Sequence, residues 1–256
     1  MSLRNDKKII YKLLEEYKQL YYDIPALDSV EYITGEIDAY AQFNAEELYN
    51  QKYILYIHPD LFSMGNKDMR NKMPRQILFH EFTHIYDSLL LLNYDLLSFK
   101  KIMCSYSEIH AREIENRELI LTQNPPYSLD KVVIGMKGNK TLKEYIDRSI
   151  GELCEQFMPS GELITPETDV YDYRELYSVL GKLRALHYFN IDYDYSLINI
   201  ITNPFLSTIN EVIKYGLNLN IEDAKIFMEL QDKLIDSINA EKEHHNKICK
   251  LLNESL

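Results

Sequence analysis

The chain has no tryptophan, three cysteines, and only eight glycines and eight prolines among its 256 residues. Cys104, Cys154 and Cys249 are odd in number and far apart, a poor basis for a disulfide scaffold or a thiolate metal cage. A reducing, cytoplasmic setting is expected. Positive charge is in deficit as well: 28 Lys and Arg against 40 Asp and Glu leave a formal charge of −12. So acidic a chain is ill suited to grip phosphate backbones or an anionic leaflet, and neither a nucleic-acid nor a membrane partner is expected. Long apolar runs are missing too. The strongest, around Leu89 to Leu92, is broken by Asp87 and Asn93, far short of the ~20 residues of a spanning helix. Residues Met1 to Lys8 lack the apolar core of a secretory signal.

What is present is an apolar fraction of 46% beside 27% charged residues, which suits a chain that buries a sizeable core. No repeat and no Gly/Ser or Pro linker divides it. Residues 4–22 carry Ile9, Ile10, Leu13, Leu14, Tyr17, Leu20 and Tyr21 at helical spacing. Residues 35–43 alternate, Asn44 offers a break, and 52–58 alternate again up to Pro59, which predicts a strand pair. From Pro74, a residue suited to a first helical turn, Ile77, Leu78, Ile85, Leu89 and Leu92 predict a helix to about Asn93. Further helices are expected to open at Ser105 and at Thr141, where Thr141-Leu142-Lys143-Glu144 has the capping-box form. Others are expected over roughly 169–188, after Pro204, and from Asn220 to about Leu252. The fold class is α+β and predominantly helical, with a small N-terminal antiparallel sheet. We divide it at 1–125, a core, and 126–256, a helical region packed on that core.

One motif carries chemistry. His80-Glu81-Phe82-Thr83-His84 is His-Glu-x-x-His inside a segment read as helical. Residues i and i+4 share a helix face, so both imidazoles reach one metal ion, with Glu81 beside them to take a proton from water. From the 7 His and 23 Glu of the chain, about 0.017 chance occurrences of this form are expected. Catalytic zinc sites use three protein ligands and leave one position open. The extended pattern with a third histidine fails, because Asp87 and Leu90 stand at its last two positions, and no cysteine precedes the motif. A downstream carboxylate is left.

Here the chain resembles the gluzincin metallopeptidases, including prophage-type regulatory peptidases. The resemblance spans about residues 35–116. It rests on His80-Glu81-x-x-His84 and, more weakly, on Glu108-Ile109-His110-Ala111. It implies a zincin-like core in which His80, His84 and Glu108 hold Zn²⁺ and Glu81 is the general base. It also implies that a peptide substrate adds as an extra strand to the strand ending at His58. Glu108 has a competing reading as the third residue of a capping box begun by Ser105. Glu113, Glu115 and His110 are alternative ligands, as are Glu152 and Glu155 further on.

Asp87 falls on the ligand face. It is read either as a carboxylate that accepts the second N–H of a ligand imidazole or as a polar helix residue near solvent. Arg112 is a partner for Glu108 or Asp87, or an ordinary surface ion pair. His58, His187, His244 and His245 read as isolated histidines. The Tyr171–Tyr177 and Tyr188–Tyr195 clusters read as packing residues, one of which could serve an oxyanion. The functional expectation is a zinc-dependent peptidase with a peptide or protein substrate. The acidic balance favours a basic or neutral one. The alternative is a catalytically inactive, zincin-like regulatory or interaction protein.

Overall fold

Ile10, Leu14 and Tyr17 recur at helical spacing on α1 (Leu3–Leu20), and all three are fully buried. Tyr17 packs edge-on against Phe79 and Phe82, and its hydroxyl meets Thr83 at 3.0 Å, which fixes α1 along α3 (Lys67–Leu90). These positions come from a computed structural model that describes residues 3–33, 39–63, 67–135, 138–156, 174–194 and 212–254. Among them, no helix is long and apolar enough to cross a membrane.

The sheet near the N-terminus keeps part of the expected antiparallel pair and adds a parallel strand to it. Its order is β1 (Ser29–Tyr32), β3 (Ile54–Ile57), β2 (Ala41–Gln42). The four-residue pairing of β3 is with β1 and is parallel; only the two residues of β2 run antiparallel to it. Residues 35–38 of the expected first strand lie outside the described residues. Alternation had marked β3 but not β1. Between β2 and β3, Asn44 caps the short α2 (Ala45–Tyr49), accepting from the Glu46 N–H at 2.8 Å.

Pro74 lies inside α3 rather than in its first turn. The preceding turns, Lys-Asp-Met-Arg-Asn-Lys-Met, hold good helix formers but no apolar stripe, so periodicity missed them. After a turn, Asp95 caps α4 (Leu96–Ile102), accepting from the Leu97 and Ser98 N–H groups at 3.0 and 3.1 Å. No helix opens at Ser105. The helix runs on from α4 through a π-helical turn, Met103–Ser107, into α5 (Glu108–Ile120), and the Ser105 hydroxyl bonds back to the Lys101 carbonyl at 2.9 Å. The capping-box reading of Glu108 therefore falls, since no helix N-terminus exists there to cap.

The region after 125 is helical, as expected, but also holds a hairpin of β4 (Val132–Gly135) and β5 (Gly138–Thr141). Thr141 and Glu144 form the expected capping box at the start of α6 (Leu142–Gln156): the Thr141 N–H donates to Glu144 at 2.8 Å and the Glu144 N–H to Thr141 at 3.2 Å. α7 (Arg174–Tyr188) covers the described part of the helix expected over 169–188; residues 169–173 fall outside. A 3₁₀ turn capped by Asn220 leads into α8 (Ala224–Glu254), as expected. The stretch just after Pro204 lies outside the described residues. Buried apolar residues from Ile10 to Leu234 join one core.

α5 runs between α3 and α7. Gly181 allows the close approach on the α7 side, because a Cβ there would stand 2.3 Å from the Arg112 Cβ and under 3.0 Å from the α5 backbone. Side-chain pairing from Glu113 to Arg184 locks the same contact. Glu113 on α5 accepts from Arg184 of α7 at 2.6 Å and from Arg117, and Arg184 also donates to the Leu219 carbonyl at 2.8 Å. Burial raises the Glu113 pKa, but Arg184 and Arg117 outweigh it and hold it below the usual carboxylate value. A folded pKa below the unfolded one stabilises above the unfolded value and loses that contribution as pH falls. Glu113→Gln is therefore expected to lower the thermal midpoint at pH 7, with a loss on the order of 3 kcal/mol from the stranded arginines. The deficit relative to wild type narrows as the pH is taken below about 4.5, checked by thermal melts from pH 7 to pH 3.

Candidate metal centre

His80 and His84 lie one turn apart on α3, in a stretch buried on nearly every side: Phe79, Phe82 and Thr83 are 0% exposed, and His80 and Glu81 are 7%. The two imidazoles meet Nε2 to Nε2 at 3.2 Å. Glu108, the first residue of α5, places its Oε2 3.6 Å from each of those nitrogens. A tetrahedral ion with ligands near 2.0–2.2 Å sets its ligand atoms about 3.3 Å apart. The His80 Nε2, His84 Nε2 and Glu108 Oε2 triangle has that scale. His80, Glu81 and His84 together form a group that could hold a metal ion, their ligand atoms all within 4.8 Å of one another.

Neighbouring groups fix these side chains. Arg112, one turn along α5, donates from Nε to Glu108 Oε1 at 2.8 Å and from Nη1 to Glu115 Oε2 at 2.9 Å. One Glu108 oxygen is thus held by Arg112 and the other faces the histidines. Ser107, the last residue of the π turn, meets His84 Nδ1 at 2.7 Å. With Nδ1–H given to Ser107, the His84 Nε2 keeps its lone pair for a metal. Glu115 Oε2 stands 3.3 Å from His80 Nδ1, within ion-pair range but off the line of a hydrogen bond, so that buried nitrogen makes none.

The electrostatics match this crowding. Burial pulls His80 down, but Glu108 outweighs it and lifts its pKa to about 10. His84 is pushed down to about 3 by burial and by the charge on His80. Burial opposes ionisation of Glu108 and Glu115; Arg112 and His80 win, holding Glu108 well below the usual range and Glu115 at about 2. Glu81 is pushed up to about 8, chiefly by burial. One proton is shared by two facing imidazoles between ionised carboxylates, and a cation in the same place would displace it.

The other sequence candidates are elsewhere. Asp87 is fully buried and hydrogen-bonds His110 Nδ1 at 2.8 Å, not a ligand imidazole; His110 Nε2 meets the Tyr22 hydroxyl at 3.0 Å. Asp87 thus ties α3 to α5 one turn beyond the site, and the place expected for it on a ligand histidine is taken by Ser107. Glu113 serves Arg117 and Arg184, and Glu152 accepts from Arg148 at 2.7 Å. The Glu155 side chain lies outside those described. His58 Nδ1 accepts from the Asp60 N–H at 3.1 Å, and His187 and His244 are exposed. Glu115, an alternative ligand by sequence, is bound by Arg112 instead, and Ser107 was missed, its only signal being position one residue before Glu108.

A cleft of about 590 Å³ opens on the site, with His84 and Glu108 in its lining. Gln42 of β2 and Phe43 line it from the sheet, and Tyr145 and Tyr177 from α6 and α7. Tyr177, from one of the tyrosine clusters, accepts a hydrogen bond from Gln231 at 2.6 Å. The strand ending at His58 is not the exposed edge expected: β3 is central, and β2 is the edge beside the cleft.

Ser107→Ala is expected to weaken divalent-metal affinity about 10- to 100-fold by freeing the His84 tautomer. Asp87→Asn, by contrast, should lower the thermal midpoint while leaving affinity within a few fold; a competition titration against a chromophoric chelator reads both. The chain matches no known family model, no curated protein and no solved structure, so the meaning of this site rests on its own side-chain chemistry.

Proposed function

We propose that the chain is a zinc-dependent metallopeptidase of gluzincin type, hydrolysing bonds in a peptide or protein substrate. One observation carries the reading: His80 Nε2, His84 Nε2 and Glu108 Oε2 converge with separations of 3.2, 3.6 and 3.6 Å. Two neutral imidazoles and a carboxylate suit zinc with a position left open. When bound, the ion supplies Lewis acidity, polarising the scissile carbonyl and acidifying water.

The protein's own residues do the rest. Glu81, buried beside the histidines, takes the proton of the attacking water and returns it to the leaving amine nitrogen. Arg112 holds Glu108 with one oxygen toward the histidines, and Ser107 meets His84 Nδ1, where it can accept the N–H that a metal-bound imidazole offers. The substrate backbone lies along β2, the free sheet edge at the cleft, and adds there as a short strand.

Incubation of zinc-loaded protein with a randomised decapeptide library, followed by mass spectrometry, tests the reading. Wild type is expected to cut. Glu81→Gln is expected to retain its metal and lose about 10²- to 10⁴-fold in rate. Cleavage undiminished in Glu81→Gln overturns the mechanism. A full metal site with no cleavage of any peptide favours the inactive regulatory protein instead.

A further inference from the structure

α3 and α5 run antiparallel past the metal centre, and side-chain contacts fix which residues face each other there. His80 meets Glu115 at 3.3 Å, Arg75 donates to Glu118 at 2.5 Å, and Lys72 reaches the Thr122 carbonyl at 3.5 Å. Gln76 on α3 and Asn116 on α5 fall between those contacts, one turn from His80 and two turns from Glu108. Both line the cleft. They therefore stand at the end of the cleft beyond the metal ligands, on the side of the β4–β5 hairpin.

Both side chains are deeply buried, Gln76 at 4% exposed and Asn116 at 6%. Each amide is oriented by its nitrogen. Gln76 Nε2 donates to the Ile134 carbonyl of β4 at 2.9 Å, and Asn116 Nδ2 to the Arg112 carbonyl one turn back at 2.6 Å. A carbonyl only accepts, so each nitrogen faces its partner and each amide oxygen turns away from it. Neither oxygen has a partner among the described residues, and neither is among the side-chain atoms sealed from solvent without one. The two oxygens thus meet solvent in the cleft that their residues line. A ligand that displaced this water without offering a donor would leave both acceptors unanswered, which costs more than a typical hydrogen bond contributes. Charge does not call for a cation here. Glu115, beside Asn116, is already answered by Arg112 and by Lys182.

We propose that Gln76 Oε1 and Asn116 Oδ1 form a subsite for a neutral carboxamide, so that the cleft selects peptides with a side-chain amide close to the scissile bond. A primary amide carries two N–H groups on one nitrogen, one for each oxygen. An apolar side chain offers neither. The substrate class rests on the peptidase reading, while binding is measured without turnover. The probes are acetylated, amidated alanine hexapeptides carrying Gln, Met or Lys at the second, third or fourth position. Calorimetry on zinc-loaded Glu81→Gln gives their affinities, and wild type gives their cleavage.

At its preferred position the Gln peptide is expected to bind about tenfold more tightly than the Met peptide, with Lys no better than Met. Two substitutions, each added singly to Glu81→Gln, test the residues. Gln76→Met keeps the volume and loses the oxygen. Asn116→Ser keeps a donor for the Arg112 carbonyl and withdraws the amide oxygen. Each should bring the Gln advantage below about threefold and leave zinc content and the affinity of the Met peptide unchanged. If one variant misfolds and loses its zinc, the other variant and the peptide comparison decide. Equal affinities for Gln and Met at every position, Lys equal to or above Gln, an advantage that survives both substitutions, or no binding of any probe overturns the proposal. Selective binding of Gln without cleavage by wild type removes the peptidase reading and leaves carboxamide recognition standing. Cleavage of all three peptides at equal kcat/KM, with equal affinities, does the reverse.

Discussion

Everything at the site depends on bringing one carboxylate, Glu108, against two imidazoles, one buried and one nearly so. Each of these groups loses water on burial, and none is stable there unless its charge or lone pair is answered. Glu108 is answered on one oxygen by Arg112 and on the other by the imidazole pair. The histidines face each other at 3.2 Å, a spacing that calls for a proton or a cation between them. The π turn before Glu108 puts one residue more into the helix than α geometry allows, which re-aims the side chains that follow. It delivers Ser107 to His84 and Glu108 to both histidines within two consecutive positions.

The rest of the fold holds α5 where that meeting requires it. On one side, Asp87 and His110 tie α5 to α3 just past the site. On the other, Gly181 lets α7 come within contact of the Arg112 backbone, and the Glu113–Arg184 pair keeps the two helices in register. α1, stacked on α3 through Tyr17, closes the face of the motif helix away from the cleft. The polar residues buried along α3 and α5 are therefore partners in a connected set, and removing one member strands another.

The sequence made the local parts legible and left the long-range ones dark. His80, Glu81 and His84 could be read because their spacing is helical geometry written directly into the chain. The Thr141 capping box could be read for the same reason. Glu108 came from resemblance, and the rival capping role assigned to it dissolved once α4 was seen to continue into α5. Asp87 was placed on the correct helix face, yet its partner His110 is 23 residues away, and spacing could not choose between His110 and a ligand histidine. The π turn, Ser107 and the central position of β3 depend on which helix or strand packs beside which. The cleft wall is set by elements from β5 to α7, which no motif announces.

We propose that His80, His84 and Glu108 hold one metal ion. The most direct measurement is elemental mass spectrometry of protein purified without a histidine tag or added metal, comparing wild type with Glu108→Ala. About one zinc per chain is expected in wild type, with a clear loss in the variant. A variant that keeps its zinc contradicts the role given to Glu108, and a wild type that takes up no metal even after zinc is added contradicts the metal centre itself.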